Sequence, residues 1–141
     1  MLVEHVLYCA RAKATGGRDG RAVSSDGVLD VQLTTPRELG GAGGRGTNPE
    51  QLFASGYAAS FLSAMQYVAA RDDLAIPPEI AVEGTVGIGA IRQGFGIEVE
   101  LRIALPGLAH RAAESLVHKA HLICPYSNAT RGNIEVTLAV V

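Results

Sequence analysis

The chain lacks the residues that define several classes of small protein. Its 141 residues include no tryptophan and two cysteines, Cys9 and Cys124. Two cysteines are too few for a disulfide scaffold, and without a Cys-x-x-Cys pair neither structural zinc nor thioredoxin-type chemistry is expected. If a thiol matters in this chain, we expect it to act singly.

Long apolar runs and an excess of basic residues are also missing. No run of 18 apolar residues occurs, and Glu4 interrupts the first stretch, so we expect neither a membrane span nor a signal peptide. A formal net charge of −2 and a pI near 6.1 leave no basic field for phosphates. These features predict a cytoplasmic protein with no membrane or nucleic-acid partner.

The residues that are present indicate an ordered globular chain. Its composition is 48% hydrophobic and 18% charged, with a mean hydropathy of +0.20. This length suits one domain, and no shift in composition marks a second one. We therefore predict a single domain over residues 1–141, with further apolar surface hidden in an oligomer.

The first third of the chain predicts strands and the middle predicts a long helix. Strands are expected at 3–14, 20–24 and 28–34, separated by the turn sequences TGGRDG and SSDG. A capping sequence, NPEQ, starts a helix at Pro49 that runs to about Arg71.

Ser60 lies on the apolar stripe of that helix. Residues of the stripe recur at three- and four-residue steps: Phe53, Tyr57, Ser60, Phe61, Ala64, Met65 and Val68. We expect Ser60 on the buried side. The ordinary role of such a serine is a hydrogen bond to the carbonyl four residues earlier.

The remainder predicts two strands, a second helix and a last strand. The strands are expected at 79–91, 95–105 and 133–141, and the helix within PGLAHRAAESLVHKAHLI, where CPYSN stops it. Its apolar face is predicted as Leu108, Ala112, Leu116 and Ala120. The fold class is α+β, in the order β-β-β-α-β-β-α-β with antiparallel pairing.

Three local motifs have a functional and an ordinary interpretation. GGAGGRGT lacks the lysine context of a phosphate-binding loop, which favours a flexible linker or lid. His118 and His121 near Cys124 could form part of a metal site, but histidines in a last helical turn more often bond carbonyls, so no metal is predicted. Ser60 has neither a G-x-S-x-G motif nor a histidine at a matching spacing, which disfavours a hydrolase.

Three stretches together resemble one known family. ATGGRDGRAVSSDG, ELGGAGGRGTNPEQLFASGYAASF and CPYSNATRGNIEV are similar to the organic hydroperoxide resistance (Ohr) proteins of the Ohr/OsmC superfamily, in the same order and over almost the whole chain. The resemblance implies an OsmC-like fold, with sheets wrapped around central helices in an intertwined homodimer.

The resemblance also implies an activity and its residues. Such proteins are thiol peroxidases of the oxidative stress response that reduce organic hydroperoxides, including fatty-acid hydroperoxides, to alcohols. They hold no bound cofactor, and a lipoylated protein or dihydrolipoamide is the external reductant. Carried over by position, the peroxidatic cysteine falls on Ser60 and the resolving cysteine on Cys124, while the active-site arginine and glutamate fall on Arg18 and Glu50.

Ser60 is the one departure from that pattern. A serine does not form the sulfenic acid that Cys124 would resolve, so the chain as given is expected to be inactive. Two explanations stay open. Serine was substituted deliberately for a native cysteine, or the chain is a natural paralogue that binds hydroperoxides or lipids without turnover.

Two further expectations concern the surroundings of position 60. Phe53, Tyr57 and Phe61 either line a pocket for bulky organic peroxides or pack in the core. Glu50 lies ~15 Å from Ser60 along a straight helix, so a glutamate that supports the site implies an antiparallel pair of helices from two chains. Separately, Cys9 is predicted to be a small buried hydrophobe in the first strand.

Overall fold

The structure is a computed structural model that describes all 141 residues, and the chain divides into two compact units. These units are Met1–Pro49 and Glu50–Val141, and each contains a three-stranded sheet. The prediction of one domain over 1–141 stays a prediction. None of the helices combines the length and the apolarity that crossing a membrane requires.

The N-terminal unit contains an antiparallel sheet of short strands. Its strands are β1 (Ala12–Thr15), β2 (Arg21–Ser24) and β3 (Asp30–Gln32). A 3₁₀ turn joins β1 to β2, and it requires glycine at Gly20, where a Cβ would lie 1.7 Å from the Thr15 carbonyl oxygen. The turns predicted at TGGRDG and SSDG are confirmed.

The first predicted strand, 3–14, is wrong over most of its length, because residues 3–11 lie outside the sheet. The amide of Ser25 donates to the Arg11 carbonyl where the chain turns after β2. Strand β2 is therefore too short to pair with the residues before this point, and an unpaired segment does not form a strand. Cys9, predicted to be buried in that strand, is exposed.

The C-terminal unit combines three helices with the second sheet. Its elements are α1 (Pro49–Arg71), which begins at the unit boundary, β4 (Ala81–Ile91), β5 (Gly94–Ala104), α2 (His110–Ile123), α3 (Pro125–Thr130) and β6 (Val136–Val140). The predicted long helix and the two strands after it are confirmed to within two residues at each end. Helix α3 is an addition to the predicted order.

The pairing of the last strand corrects the predicted topology. Strands β4 and β5 form an antiparallel hairpin, as expected, but β6 pairs with β5 in parallel. The reason is the connection: α2 and α3 form a helical crossover that returns the chain to the end of the sheet where β5 began. The expectation of antiparallel pairing alone is therefore wrong.

Helix α1 supplies the centre of the core. Its buried residues are Tyr57, Phe61, Ala64, Met65, Val68 and Ala69. They form one cluster with the alternating inward residues of β5 (Val99, Leu101, Ile103) and with α2. Close approach of helix and sheet requires Gly84, because a Cβ there would lie 2.9 Å from the Ala54 carbonyl oxygen. Each fully buried large apolar side chain in such a cluster contributes about 1.5–3 kcal/mol.

The buried face of α2 differs from the predicted one by part of a turn. The buried residues are Ala113, Leu116, Val117 and Ala120. Leu108 precedes the helix, which begins at His110, and Ala112 is half-buried. Gly107, with a φ of 82°, holds the preceding residues in a turn and thereby sets the later start.

A proline defines the corner between α2 and α3. Pro125 is the first residue of α3, and Cys124 before it has the extended angles φ −62° and ψ 125°. A residue that precedes proline disfavours the helical region, so α2 ends at Ile123. The predicted stop at CPYSN is confirmed, and the chain starts a short new helix from it.

Candidate functional site

The fold brings Ser60 and Cys124 into contact. Ser60 is half-buried on α1, Cys124 is fully buried at the α2–α3 corner, and 3.6 Å separate Ser60 Oγ from Cys124 Sγ. The ordinary role considered for Ser60, a hydrogen bond to the carbonyl four residues earlier, is filled on this helix by Ser55, whose hydroxyl donates to the Gln51 carbonyl. A sulfur atom in place of the Ser60 oxygen would lie beside the Cys124 thiol.

The backbone around Cys124 is held on both sides. Its amide donates to the Ala120 carbonyl at 2.8 Å, and its carbonyl accepts from the Asn128 amide at 2.9 Å. The thiol therefore projects from a corner whose main chain has its hydrogen bonds satisfied within the two helices. This leaves the side chain as the part of Cys124 that is available for chemistry.

Three aromatic rings join α3 to α1 next to this corner. Tyr126 lies 5.5 Å from Tyr57 and 5.9 Å from Phe53 between ring centroids, and the two rings of α1 are 6.3 Å apart. Gly56 makes room for this arrangement, because a Cβ at that position would lie 2.5 Å from the Tyr126 hydroxyl. Such ring pairs add about 0.5–1.5 kcal/mol each beyond their buried area.

A buried set of polar side chains continues from Tyr57. Its hydroxyl lies 2.8 Å from Ser127 Oγ and 3.3 Å from Thr130 Oγ1, and Ser127 Oγ lies 2.8 Å from His121 Nδ1. No buried side-chain nitrogen or oxygen in the chain lacks a partner. No local sequence pattern indicates these contacts, since Tyr57 and Ser127 are 70 positions apart.

His121 differs from the predicted carbonyl-bonding histidine. Its ring bonds the Ser127 hydroxyl, whereas its own carbonyl accepts a hydrogen bond from Arg131 Nη2. Burial lowers the pKa of His121 below its usual value, and the positive charges of Arg131 and His118 lower it further. The neutral imidazole is therefore favoured at neutral pH.

An open groove of about 880 Å³ lies on the sheet side of the C-terminal unit. The lining includes Phe53, Ile88, Phe95, Ile97 and Ile134, together with the backbone of Gly87, Gly89 and Gly96. Of the three residues predicted either to line a pocket or to pack in the core, Phe53 lines this groove. The other two, Tyr57 and Phe61, are fully buried in the core cluster.

The structure places the remaining predicted residues as follows. Arg18 is half-buried in the 3₁₀ turn of the N-terminal unit, and Glu50 is half-buried in the first turn of α1. Their carried-over roles stay predictions. The chain contains no group of three or more His, Cys, Asp and Glu side chains arranged to hold a metal ion.

Comparison with known proteins establishes the class to which this fold and site belong. The family model described as OsmC-like protein matches residues 41–139, and the chain accordingly belongs to the OsmC-like family.

The relatives within that family carry a more specific description. The organic hydroperoxide resistance protein of Xanthomonas axonopodis pv. citri (strain 306) is 66% identical over 137 residues, which cover 97% of this chain and 96% of the relative. A crystal structure described as an organic hydroperoxide resistance protein OsmC from Legionella pneumophila matches with a TM-score of 0.91 and 47% identity, covering 96% and 98% of the two chains. OhrB of Bacillus subtilis matches with a TM-score of 0.88 and 43% identity, covering 96% and 100%.

Proposed function

We propose that this chain has the framework of a thiol-dependent peroxidase for organic hydroperoxides and that Ser60 makes the chain as given inactive. The observation that carries the proposal is the 3.6 Å contact between Ser60 Oγ and Cys124 Sγ. Two cysteines at these positions would be neighbours, as a peroxidatic and a resolving thiol must be. The relatives named for organic hydroperoxide resistance support the same substrate class.

With cysteine at position 60, the chemistry runs as a dithiol cycle. The thiolate attacks one peroxide oxygen, the O–O bond breaks, and the alkoxide takes a proton to leave as an alcohol. The resulting sulfenic acid loses water when the Cys124 thiol attacks its sulfur, and a disulfide forms. A dihydrolipoyl group, free or on a lipoylated protein, then reduces the disulfide by thiol exchange.

Serine at position 60 blocks this cycle at its first step. An alcohol is far less acidic and less polarisable than a thiol, so it stays protonated near neutral pH and does not attack the O–O bond. The hydroxyl preserves much of the shape of the site and its contact with Cys124. The chain as given therefore keeps the arrangement without the reactive atom.

The family resemblance assigns Arg18 and Glu50 a part in the proposed chemistry through their charges. A permanently charged guanidinium stabilises a thiolate at position 60 and the alkoxide that leaves. Glu50 would hold this guanidinium in place through a bidentate pair. Substituting either residue in a Ser60→Cys protein should slow the attack on peroxide more than the formation of the disulfide.

The open groove fits the organic part of such a substrate. Phe53, Ile88 and Phe95 give it an apolar lining, which suits a cumyl or acyl chain better than a small polar peroxide. The prediction is that a Ser60→Cys protein reacts faster with a long-chain hydroperoxide than with hydrogen peroxide. Equal rates would contradict the role of the groove.

We also propose that the chain works as a homodimer. Large apolar side chains of the N-terminal unit are exposed in the single chain, with Leu2 93% and Leu7 91% accessible. Such a surface is unusual on a monomer and typical of an interface. In this arrangement each site could use residues from both chains.

A second candidate is a natural paralogue that binds organic hydroperoxides or lipids without turnover. Ser60 and the apolar groove favour it, because a hydroxyl at position 60 allows binding but no redox chemistry. It predicts saturable binding by the chain as given and no peroxidase activity in the Ser60→Cys variant.

The test is cumene hydroperoxide reduction driven by dihydrolipoamide, with three proteins. The chain as given should be silent, Ser60→Cys should exceed the uncatalysed background by at least about a hundredfold, and Ser60→Cys with Cys124→Ser should lose sustained turnover. The double variant is the matched control, since it keeps the attacking thiol and removes its partner. Silence of all three proteins would overturn the peroxidase proposal.

A further inference from the structure

A chain of buried hydrogen bonds next to Cys124 has no role in the proposed chemistry. It runs from His121 Nδ1 to Ser127 Oγ and from there to the Tyr57 hydroxyl, at 2.8 Å in both steps. Thr130 Oγ1 lies 3.3 Å from the same phenol, and its own proton goes to the Ser127 carbonyl. Tyr57, Ser127 and Thr130 are buried, and His121 is half-buried.

These contacts can be satisfied when Nδ1 of His121 is an acceptor. Ser127 then donates its hydroxyl proton to the imidazole, and the Tyr57 phenol donates to Ser127 Oγ. Thr130 continues to donate to the Ser127 carbonyl. The hydroxyl protons of Ser127, Tyr57 and Thr130 each have a partner in this arrangement.

They can also be satisfied when Nδ1 carries a proton. The imidazole then donates to Ser127 Oγ, and Ser127 donates to the Tyr57 oxygen. The phenol proton turns to Thr130 Oγ1, which is the alternative acceptor. Protonation of His121 at Nδ1 therefore exchanges donor and acceptor in the hydrogen bonds between His121, Ser127 and Tyr57 without breaking them. Thr130 makes this exchange possible, because it accepts the phenol proton.

The chain connects the two elements that carry the proposed cysteine pair. His121 and Ser127 stand three positions before and three positions after Cys124, on α2 and α3. Tyr57 stands one helical turn before Ser60 on α1. Movement of the corner away from α1 would break at least one buried hydrogen bond and leave a buried polar group without its partner.

We propose that His121 and Ser127 are positioning residues for Cys124: the chain His121–Ser127–Tyr57, closed by Thr130, fastens the α2–α3 corner to α1 and keeps the thiol within reach of position 60. The proposal rests on the proposed dithiol cycle, since only that cycle needs Cys124 to meet a sulfur on α1. It assigns a task to residues that touch neither the peroxide nor the reductant.

The charges around His121 agree with this role. Arg131 from the end of α3 and His118 from α2 both disfavour a positive imidazole, and the α1 residue that faces it through Ser127 is the neutral phenol of Tyr57. Arg131 also donates to the His121 carbonyl and to Asn128 Oδ1, so it braces the same corner. A neutral imidazole serves as a hydrogen-bond partner with no charge to solvate.

The first test uses disulfide formation that does not depend on peroxide. In a Ser60→Cys protein, diamide takes two electrons and two protons from the thiols at 60 and 124, and non-reducing mass spectrometry follows the disulfide. Adding Ser127→Ala should slow its formation at least about tenfold, because the corner loses its central hydrogen bonds. The matched control is Ser55→Ala, an exposed serine on α1, which should change the rate less than twofold. Equal rates for Ser127→Ala and the control would overturn the proposal.

The second test uses the protein with serine at position 60 and measures how readily His121 takes up a proton. Thr130→Val removes the alternative acceptor of the phenol, so the state with a proton on Nδ1 becomes harder to form, and the midpoint of His121 titration by NMR should move to lower pH. Thr130→Ser, which retains the hydroxyl, should restore the parent midpoint. An unchanged midpoint in Thr130→Val would overturn the proposed series of hydrogen bonds. This outcome can be measured even if Ser127→Ala proves too unstable to study.

These experiments separate the two proposals. In one outcome, the Ser60→Cys protein forms the disulfide with diamide but does not reduce cumene hydroperoxide. This result would leave the positioning role intact and overturn the peroxidase proposal. The opposite result has two parts: Ser60→Cys reduces cumene hydroperoxide, and Ser127→Ala forms the disulfide as fast as the Ser55→Ala control. It would support the peroxidase and overturn the positioning role.

Discussion

The two units of this protein differ in where their apolar side chains lie. The C-terminal unit buries a continuous cluster around α1, with Tyr57, Phe61 and Leu101 at zero exposure. In the N-terminal unit, Leu33 is the single buried hydrophobic residue. One unit has a core of its own, and the other is held by short strands, turns and their hydrogen bonds.

This difference indicates which unit can be stable by itself. Burial of large apolar side chains is the main source of folding free energy, so the C-terminal unit has the means to fold as a single chain. The N-terminal unit exposes a run of apolar residues: Met1, Leu2, Val3, Val6, Leu7 and Tyr8. A unit with so little core depends on a surface outside itself, which agrees with the proposed homodimer.

The largest expected effect comes from the core of the C-terminal unit. Leu101→Ala removes a fully buried side chain from the middle of β5 and should lower the free energy of unfolding by about 2–5 kcal/mol. Val28→Ala, at an 86% exposed position of the N-terminal unit, should change it by less than about 0.5 kcal/mol. Urea titration followed by circular dichroism measures both. Similar losses for the two variants would remove the contrast between the units.

The next effect concerns the exposed apolar segment. If it contacts a second copy, Leu7→Asp should weaken dimerisation by roughly ten- to a hundredfold, because burying one leucine contributes about 1.5–3 kcal/mol. Sedimentation equilibrium measures the dissociation constant, and Leu122→Asp, at a half-exposed position of α2, is the control. A monomeric parent protein would contradict the homodimer. An unchanged Leu7→Asp dimer would place its interface elsewhere.

The sequence predicts those parts of the fold that local patterns determine. The length of α1 follows from its apolar stripe and NPEQ, and the corner at Cys124 follows from Pro125, since both signals lie within a few residues of their effect. The predicted strand over 3–14 is wrong at residues 3–11, because a strand needs a pairing partner and β2 is too short to supply one there. The parallel pairing of β6 likewise depends on residues outside the strand, because the helical crossover between β5 and β6 sets its direction.

The candidate site divides in the same way. The pair of positions 60 and 124 was reached through family resemblance, and the structure adds their contact. The chain from His121 to Tyr57 had no local signal, because its members meet only when three helices pack together. The one sequence feature that points to these hydrogen bonds is the equal spacing of His121 and Ser127, three positions on either side of Cys124. This spacing can be interpreted only once the corner at Pro125 is known.

The smallest expected effect is a pH dependence of the C-terminal unit. The folded pKa of His121 lies below its unfolded value of about 6.5, so the unfolded chain binds more protons in the window beneath that value. The stabilisation is fully present above about pH 6.5 and is lost as pH falls through the folded pKa. Urea titrations between pH 7 and pH 5 should show a decrease that His121→Gln reduces. This window avoids the carboxylates of Asp26 and Asp72, whose pKa values are lowered by hydrogen bonds and which titrate in more acidic solution. A decrease that persists in His121→Gln would assign it to other groups.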